Sequence, residues 1–232
     1  MEHKEKENSG LEIDKTIIET TGKVEAFYEH NKKNVNIAIV AILAVVGGYF
    51  AFKMWYIEPK EKEAQTAVFN AQIWFEKDSF NLALNGQGDK QGFLAIIDDY
   101  GMTKTANLAH YYAGICYLKN GDFANAISHL EDFNTSNVLV GPLAEGALGD
   151  AYVESGDLDK GVKHYTKAAN MTKSKLTAPL YLKKAGLVYE DQKQFGNALD
   201  VYEKIKTDYA DANEAQDIDK YIARAKTAKE NN

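Results

Sequence analysis

Cysteine is almost absent: Cys116 is the only one among 232 residues. A disulfide framework within the chain and a zinc site built on several thiolates are therefore excluded. Lipid attachment at an N-terminal cysteine is not expected either, because Cys116 lies far downstream. Three prolines and 17 glycines are too few for a collagen-like or low-complexity chain. Basic charge is in deficit, with 27 Lys plus Arg against 34 Asp plus Glu and a net charge of −7. A nucleic-acid binder must neutralise phosphates, so that class is not expected. Catalytic signatures are missing as well: no Gly-x-Ser-x-Gly, His-Glu-x-x-His or P-loop occurs. The chain is expected not to be an enzyme and to need no cofactor. With 45% hydrophobic and 26% charged residues it is still apolar enough to fold.

The longest apolar run is Ile37 to Phe52, 16 residues without a charge. Crossing the hydrocarbon of a bilayer takes about 20 residues. Extending the run to Val35 and Ile57 gives 23, including Lys53, whose long side chain can snorkel to headgroups. Trp55 and Tyr56 stand where an interfacial aromatic belt is expected. Residues 35–57 are thus expected to be a single transmembrane helix. A buried core helix would keep a polar stripe, and this run has none. A cleavable signal peptide fits poorly, because the polar stretch before the run is long and no Ala-x-Ala site follows. Lys32 and Lys33 flank one end and Lys53, Lys60 and Lys62 the other, so the positive-inside rule barely discriminates. The preferred orientation puts residues 1–34 in the cytoplasm as a short arm. Within it, Met1 to Gly10 is polar enough to be disordered. Ile13, Ile17, Val24 and Phe27 suggest an amphipathic helix, interrupted by Thr20, Thr21 and Gly22.

From Glu58 onward the chain repeats itself. Three stretches align without gaps: GICYLKNGDFANAISHLEDF from Gly114, GDAYVESGDLDKGVKHYTKA from Gly149 and GLVYEDQKQFGNALDVYEKI from Gly186. Their starts lie 35 and 37 residues apart. Three after each Gly comes Tyr117, Tyr152 or Tyr189, and nine after it Phe123, Leu158 or Phe195. Twelve after it comes a small residue, Ala126, Gly161 or Ala198, and sixteen after it Leu130, Tyr165 or Tyr202. Small residues at fixed positions let two helices approach closely, and the larger ones fill the space between. Turns are expected at Asn120–Gly121, Ser155–Gly156 and Gln192–Lys193. Such units stack into a solenoid.

Upstream, residues 61–104 read as a degenerate repeat. Ala64, Ala67, Ala71 and Trp74 suggest one helix, and Phe93, Ile96, Ile97 and Tyr100 the next. The intervening LNGQGDKQG reads as a loop, because a phosphate cradle needs a preceding strand and a different glycine spacing. Downstream, residues 213–229 carry Ile218, Tyr221, Ile222 and Ala225 and read as the helix that covers a solenoid's last face. His129 and His164 both stand fifteen after their Gly, which makes them equivalent surface positions and not a metal pair. Cys116 reads as a small buried hydrophobe.

The repeat pattern resembles the tetratricopeptide repeat. That resemblance implies an all-α protein: one N-terminal transmembrane helix, then a tetratricopeptide-repeat α-solenoid over 58–232 with clear repeats at 107–140, 142–175 and 179–212 and a C-terminal capping helix. It also implies a concave peptide-binding face built from the first helix of each pair. The matching positions are Leu108, Tyr111, Ile115, Leu118 and Lys119, then Leu143, Asp150, Val153 and Glu154, then Leu180, Lys183, Leu187, Glu190 and Asp191. The mixture suits segments with hydrophobic anchors and some basic character. It departs from the carboxylate-clamp subclass, since Ile115 and Asp150 stand where that clamp needs Asn.

The order of arm, span and repeats resembles the YfgM-type ancillary subunit of the SecYEG translocon. The resemblance implies a bacterial inner-membrane protein with its repeat domain in the periplasm. It would act there as a holding chaperone or adaptor for emerging polypeptides, beside the translocon and a PpiD-like membrane-anchored prolyl isomerase. The alternative expectation is an envelope-assembly scaffold with one fixed partner.

Overall fold

The structure, a computed structural model, describes residues 28–171 and 174–231. The polar stretch 1–10 and most of the amphipathic stretch expected over 11–30 lie outside the described residues. The chain divides into two compact units, Met1–Glu58 and Pro59–Asn232.

In the first unit, helix α1 covers residues 28–52. Its large apolar side chains, among them Ile37, Val40, Leu43, Val45 and Phe50, are exposed. That is the reverse of a core helix, and the helix is long and apolar enough to cross a membrane. A π-helical turn, Lys53–Ile57, follows, closed by the Glu58 N–H donating to the Lys53 carbonyl. Pro59 comes next, and a proline cannot continue the i→i−4 pattern, so a wider turn stands before it.

The second unit is helical throughout. Among the described residues it has no strand, only an isolated bridge between Gln87 and Lys90. Its first part differs from the two helices expected there. Four short helices occupy it: α2 (Glu58–Ala67), α3 (Phe69–Glu76), α4 (Phe80–Asn85) and α5 (Phe93–Tyr100). Asp78 ends α3 in a left-handed conformation, φ 54°, and α4 uses the first two residues of LNGQGDKQG. Of the glycines beyond it, Gly86 and Gly92 serve close backbone approach. A Cβ on Gly86 would lie 2.3 Å from the Lys90 carbonyl oxygen, and one on Gly92 2.3 Å from that of Leu84. Ala71, Leu84, Phe93, Ile96, Ala113 and Cys116 bury together beneath this part. Phe93 stacks on Tyr112 at 5.1 Å. Glu61 reaches the start of the next helix, where its carboxylate accepts from the Lys104 N–H at 2.7 Å and the Thr105 hydroxyl at 2.8 Å.

Three helix pairs follow: α6 (Lys104–Lys119) with α7 (Phe123–Asp132), α8 (Val140–Glu154) with α9 (Leu158–Met171), and α10 (Ala178–Asp191) with α11 (Phe195–Asp208). Each pair closes on the same contact. A Cβ on Gly114 would come 2.5 Å from Leu130 Cγ, one on Gly149 2.4 Å from Tyr165 Cδ1, and one on Gly186 2.2 Å from Tyr202 Cε1. The side chain sixteen positions on therefore occupies the space a larger residue would need. Ala126, Gly161 and Ala198 are buried on the facing helix. The turns reverse the chain through a left-handed residue: Gly121 at φ 79°, Gly156 at φ 90° and Lys193 at φ 58°. Asp122 then accepts from the Asn125 N–H and Asp157 from the Lys160 N–H, capping α7 and α9. Gln194 makes no such bond for α11. The last helix, α12 (Ile218–Glu230), buries Ile218, Ile222 and Ala225 against α11 and closes the core.

Candidate functional site

Ion pairs tie α8 to α10, and α10 to α12 and the residue just before it. Asp150 on α8 accepts from Lys184 Nζ on α10 at 2.6 and 2.8 Å. Lys183 on α10 donates to Asp217, just before α12, at 2.7 Å, and Arg224 on α12 pairs with Glu190 on α10. Each of these pairs spans 34 residues. In a stack of like units, one position meets the same neighbour one unit on.

These ties hold three of the fourteen expected groove positions, and apolar packing places several of the others. Tyr111, Ile115 and Leu118 are brought together, but half-buried, against Leu130, Ala147, Leu148 and Tyr152. Tyr111 also meets the rings of Tyr112 at 5.6 Å and Phe133 at 5.4 Å. Leu108 lines a pocket of about 350 Å³ with Glu61, Gln65, Val68 and Tyr112. Val153 turns to its own hairpin: its Cγ2 stands 2.4 Å from where a Gly161 Cβ would be. Asp150, Lys183 and Glu190 are held in the ion pairs just described, and Lys183 also sits 4.5 Å from the centre of the Tyr221 ring. The positions left open to solvent are Leu143, Leu180 and Leu187, exposed by 40%, 37% and 42%, with Lys119, Glu154 and Asp191.

Three contributors escaped the sequence reading. Tyr181 lays its ring on Gly146, where a Cβ would come 2.0 Å from Cε1, and stacks at 6.3 Å on Tyr165. Lys184 and Arg224 are the others. Gly146, three residues before Gly149 on one helix face, was the available signal for Tyr181. The Tyr165 hydroxyl donates to Asp150 at 2.6 Å. Burial first, and then this bond to a carboxylate, push the Tyr165 phenol far above its ordinary range. Asp150 is thus the junction of α8, α9 and α10.

A larger pocket, about 510 Å³, lies between α7, α8 and α9. Glu145, His164 and Lys167 line one side, and Leu130, Leu148 and Met171 supply apolar wall. Glu145 meets His164 Nδ1 at 2.9 Å and Lys167 Nζ at 2.5 Å. Burial alone would raise the Glu145 carboxyl, but hydrogen bonds from His164 and Lys167 outweigh it and hold the group low. The two repeat histidines are therefore not surface groups. His129 and His164 are half-buried, stacked on Tyr117 at 5.4 Å and on Tyr152 at 5.2 Å. The tyrosine three after each Gly shields them. Cys116 is fully buried, and burial pushes its thiol up to about 12. Among the described residues, no group of three or more His, Cys, Asp or Glu is placed to hold a metal ion.

Residues 108–136 and residues 146–175 each match a tetratricopeptide repeat family model. Comparison with curated proteins finds no match. The fold is an all-α tetratricopeptide-repeat solenoid ending in a capping helix, preceded in the chain by one apolar helix long enough to cross a membrane.

Proposed function

We propose that this chain is a membrane-anchored adaptor or holding chaperone that binds polypeptide on the face of its first helices. Repeats of this kind serve protein–protein interaction in general. The observation that carries the reading is the set of exposed leucines, Leu143, Leu180 and Leu187, on a face otherwise tied up by its own ion pairs. Exposed apolar side chains beside Glu154 and Asp191 suit a segment with hydrophobic anchors and basic neighbours. Residues 35–57 would hold the solenoid at the bacterial inner membrane, with residues 1–34 cytoplasmic and the repeats periplasmic. There the anchor raises the groove's concentration near emerging chains. The translocon and a PpiD-like prolyl isomerase are the partners this architecture resembles. A scaffold with one fixed partner is the second reading, and the same face would serve it.

The test uses the full chain in detergent and denatured envelope proteins as probe. Tyr111 and Leu118 are half-buried and would confuse folding with binding, so the variant is Leu180→Glu with Leu187→Glu. It should weaken capture while leaving helical content and melting temperature at parent values. Undiminished capture by that variant would move the site off this face. Graded weak capture of many clients favours the chaperone, and one stoichiometric partner favours the scaffold.

A further inference from the structure

The histidines fifteen after Gly114 and Gly149 meet different partners in their two hairpins. In the α8–α9 hairpin the partner is a carboxylate, Glu145, at 2.9 Å from His164 Nδ1. In the α6–α7 hairpin the equivalent position holds His110, and its Nδ1 lies 3.2 Å from His129 Nδ1. Two ring nitrogens at that distance share one hydrogen: one ring donates its N–H and the other accepts with its lone pair. The pair tolerates one extra proton and keeps the bond. A second proton sets N–H against N–H and two cations side by side. The charged groups facing the pair are Asp132 of α7, 3.9 Å from His110 Nδ1, and Asp98 of α5, which acts on His129.

We propose that the His110–His129 contact is an acid-operated release between α6 and α7, which the neighbouring hairpin lacks because Glu145 stands in place of the second histidine. Protonating His164 gives Glu145 a charge-assisted bond, whereas fully protonating the first pair destroys its only shared hydrogen bond. Burial holds His110 below its ordinary value of 6.5, against the pull of Asp132. Burial and then His110 hold His129 below the same value, against Asp132 and Asp98. The folded hairpin therefore binds fewer protons than the unfolded chain. Its stability is complete above the ordinary histidine value and declines as pH falls through it. The Glu145 carboxyl, held low, keeps its contribution until the solution is more acidic than the ordinary 4.5. Between those limits α7 loosens from α6 while α9 stays on α8. The device belongs to the hairpin and stands whether or not the groove binds polypeptide.

The test is amide hydrogen exchange on the full chain in detergent, corrected for intrinsic rates. It compares α7 with α9 at about pH 7.5 and about pH 5.5. Exchange in α7 relative to α9 should rise about tenfold on acidification. His110→Glu, which recreates the second hairpin's pair, and His110→Gln, which removes the second cation, should each hold the change within about twofold. An unchanged ratio in the parent overturns the proposal, as does a parent-like acid response in either variant. Should neither variant fold, the parent's ratio decides.

Discussion

Asp150 and Lys184 stand 34 residues apart and meet at 2.6 Å, with the Tyr165 hydroxyl on the same Asp150 oxygen. One carboxylate thereby joins three helices from two successive repeats. Removing it strands a buried phenol and leaves an ammonium without its partner. Asp150→Ala should cost about 1–3 kcal/mol, and Asp150→Ala with Lys184→Ala should cost less than the two single changes added. Denaturant unfolding of all four proteins measures it. Strict additivity would mean the pair is not coupled.

The glycine contacts predict steric failure. Leucine at 149 would drive its Cβ into the Tyr165 ring, which the bond to Asp150 keeps from swinging aside. Gly149→Leu should destabilise by about 1–3 kcal/mol or more. A melting temperature equal to the parent's would contradict the packing described.

The third turn is open to improvement. Lys193 holds the left-handed conformation that Gly121 and Gly156 hold in the other repeats, and Gln194 replaces their capping aspartates. Lys193→Gly should stabilise by about 1 kcal/mol, since a side chain is strained there. Gln194→Asp should add about 0.5–2 kcal/mol by supplying the missing cap. Thermal melts of the two variants and their combination check both signs.

Glu61 gives a pH-dependent contribution at the other end. Burial would raise its carboxyl, but bonds from Thr105, Gln65 and the Lys104 and Thr105 amides hold it below 4.5. A depressed carboxyl stabilises above its ordinary value and loses that stabilisation as pH falls through the folded one. Glu61→Gln should therefore lower stability at neutral pH and flatten its decline below about pH 4.5. Parallel pH curves for parent and variant would refute this.

The stacked pairs were legible because close backbone approach marks the sequence at a fixed period: Gly114, Gly149 and Gly186 with a bulky residue sixteen on. The closing helix was legible from its own apolar face. The groove was less so. Register alone puts Asp150 and Val153 on one face of α8 and Glu190 on the matching face of α10, but which way Val153 turns depends on Gly161 across the hairpin. The partners of Asp150 and Glu190 depend on how far each repeat rotates against the next. The histidines looked like surface groups because a twelve-residue offset from Tyr117 or Tyr152 reveals nothing of ring stacking. The break between α2 and α5 escaped notice because it is made by backbone conformation at Asp78 and Gly86, which no periodic pattern records.

The buried Cys116 makes the molecule quiet toward thiol reagents. A thiol pushed up to about 12 has almost no thiolate near neutrality, and the thiolate is the nucleophile. Maleimides and other thiol reagents therefore find no ready target in the folded chain, whose sole sulfhydryl this is. A cysteine substituted at an exposed site such as Leu180 or Leu187 would be the one that labels. The native sequence is thus ready for site-specific cross-linking to whatever occupies the first-helix face, with no background thiol to remove first.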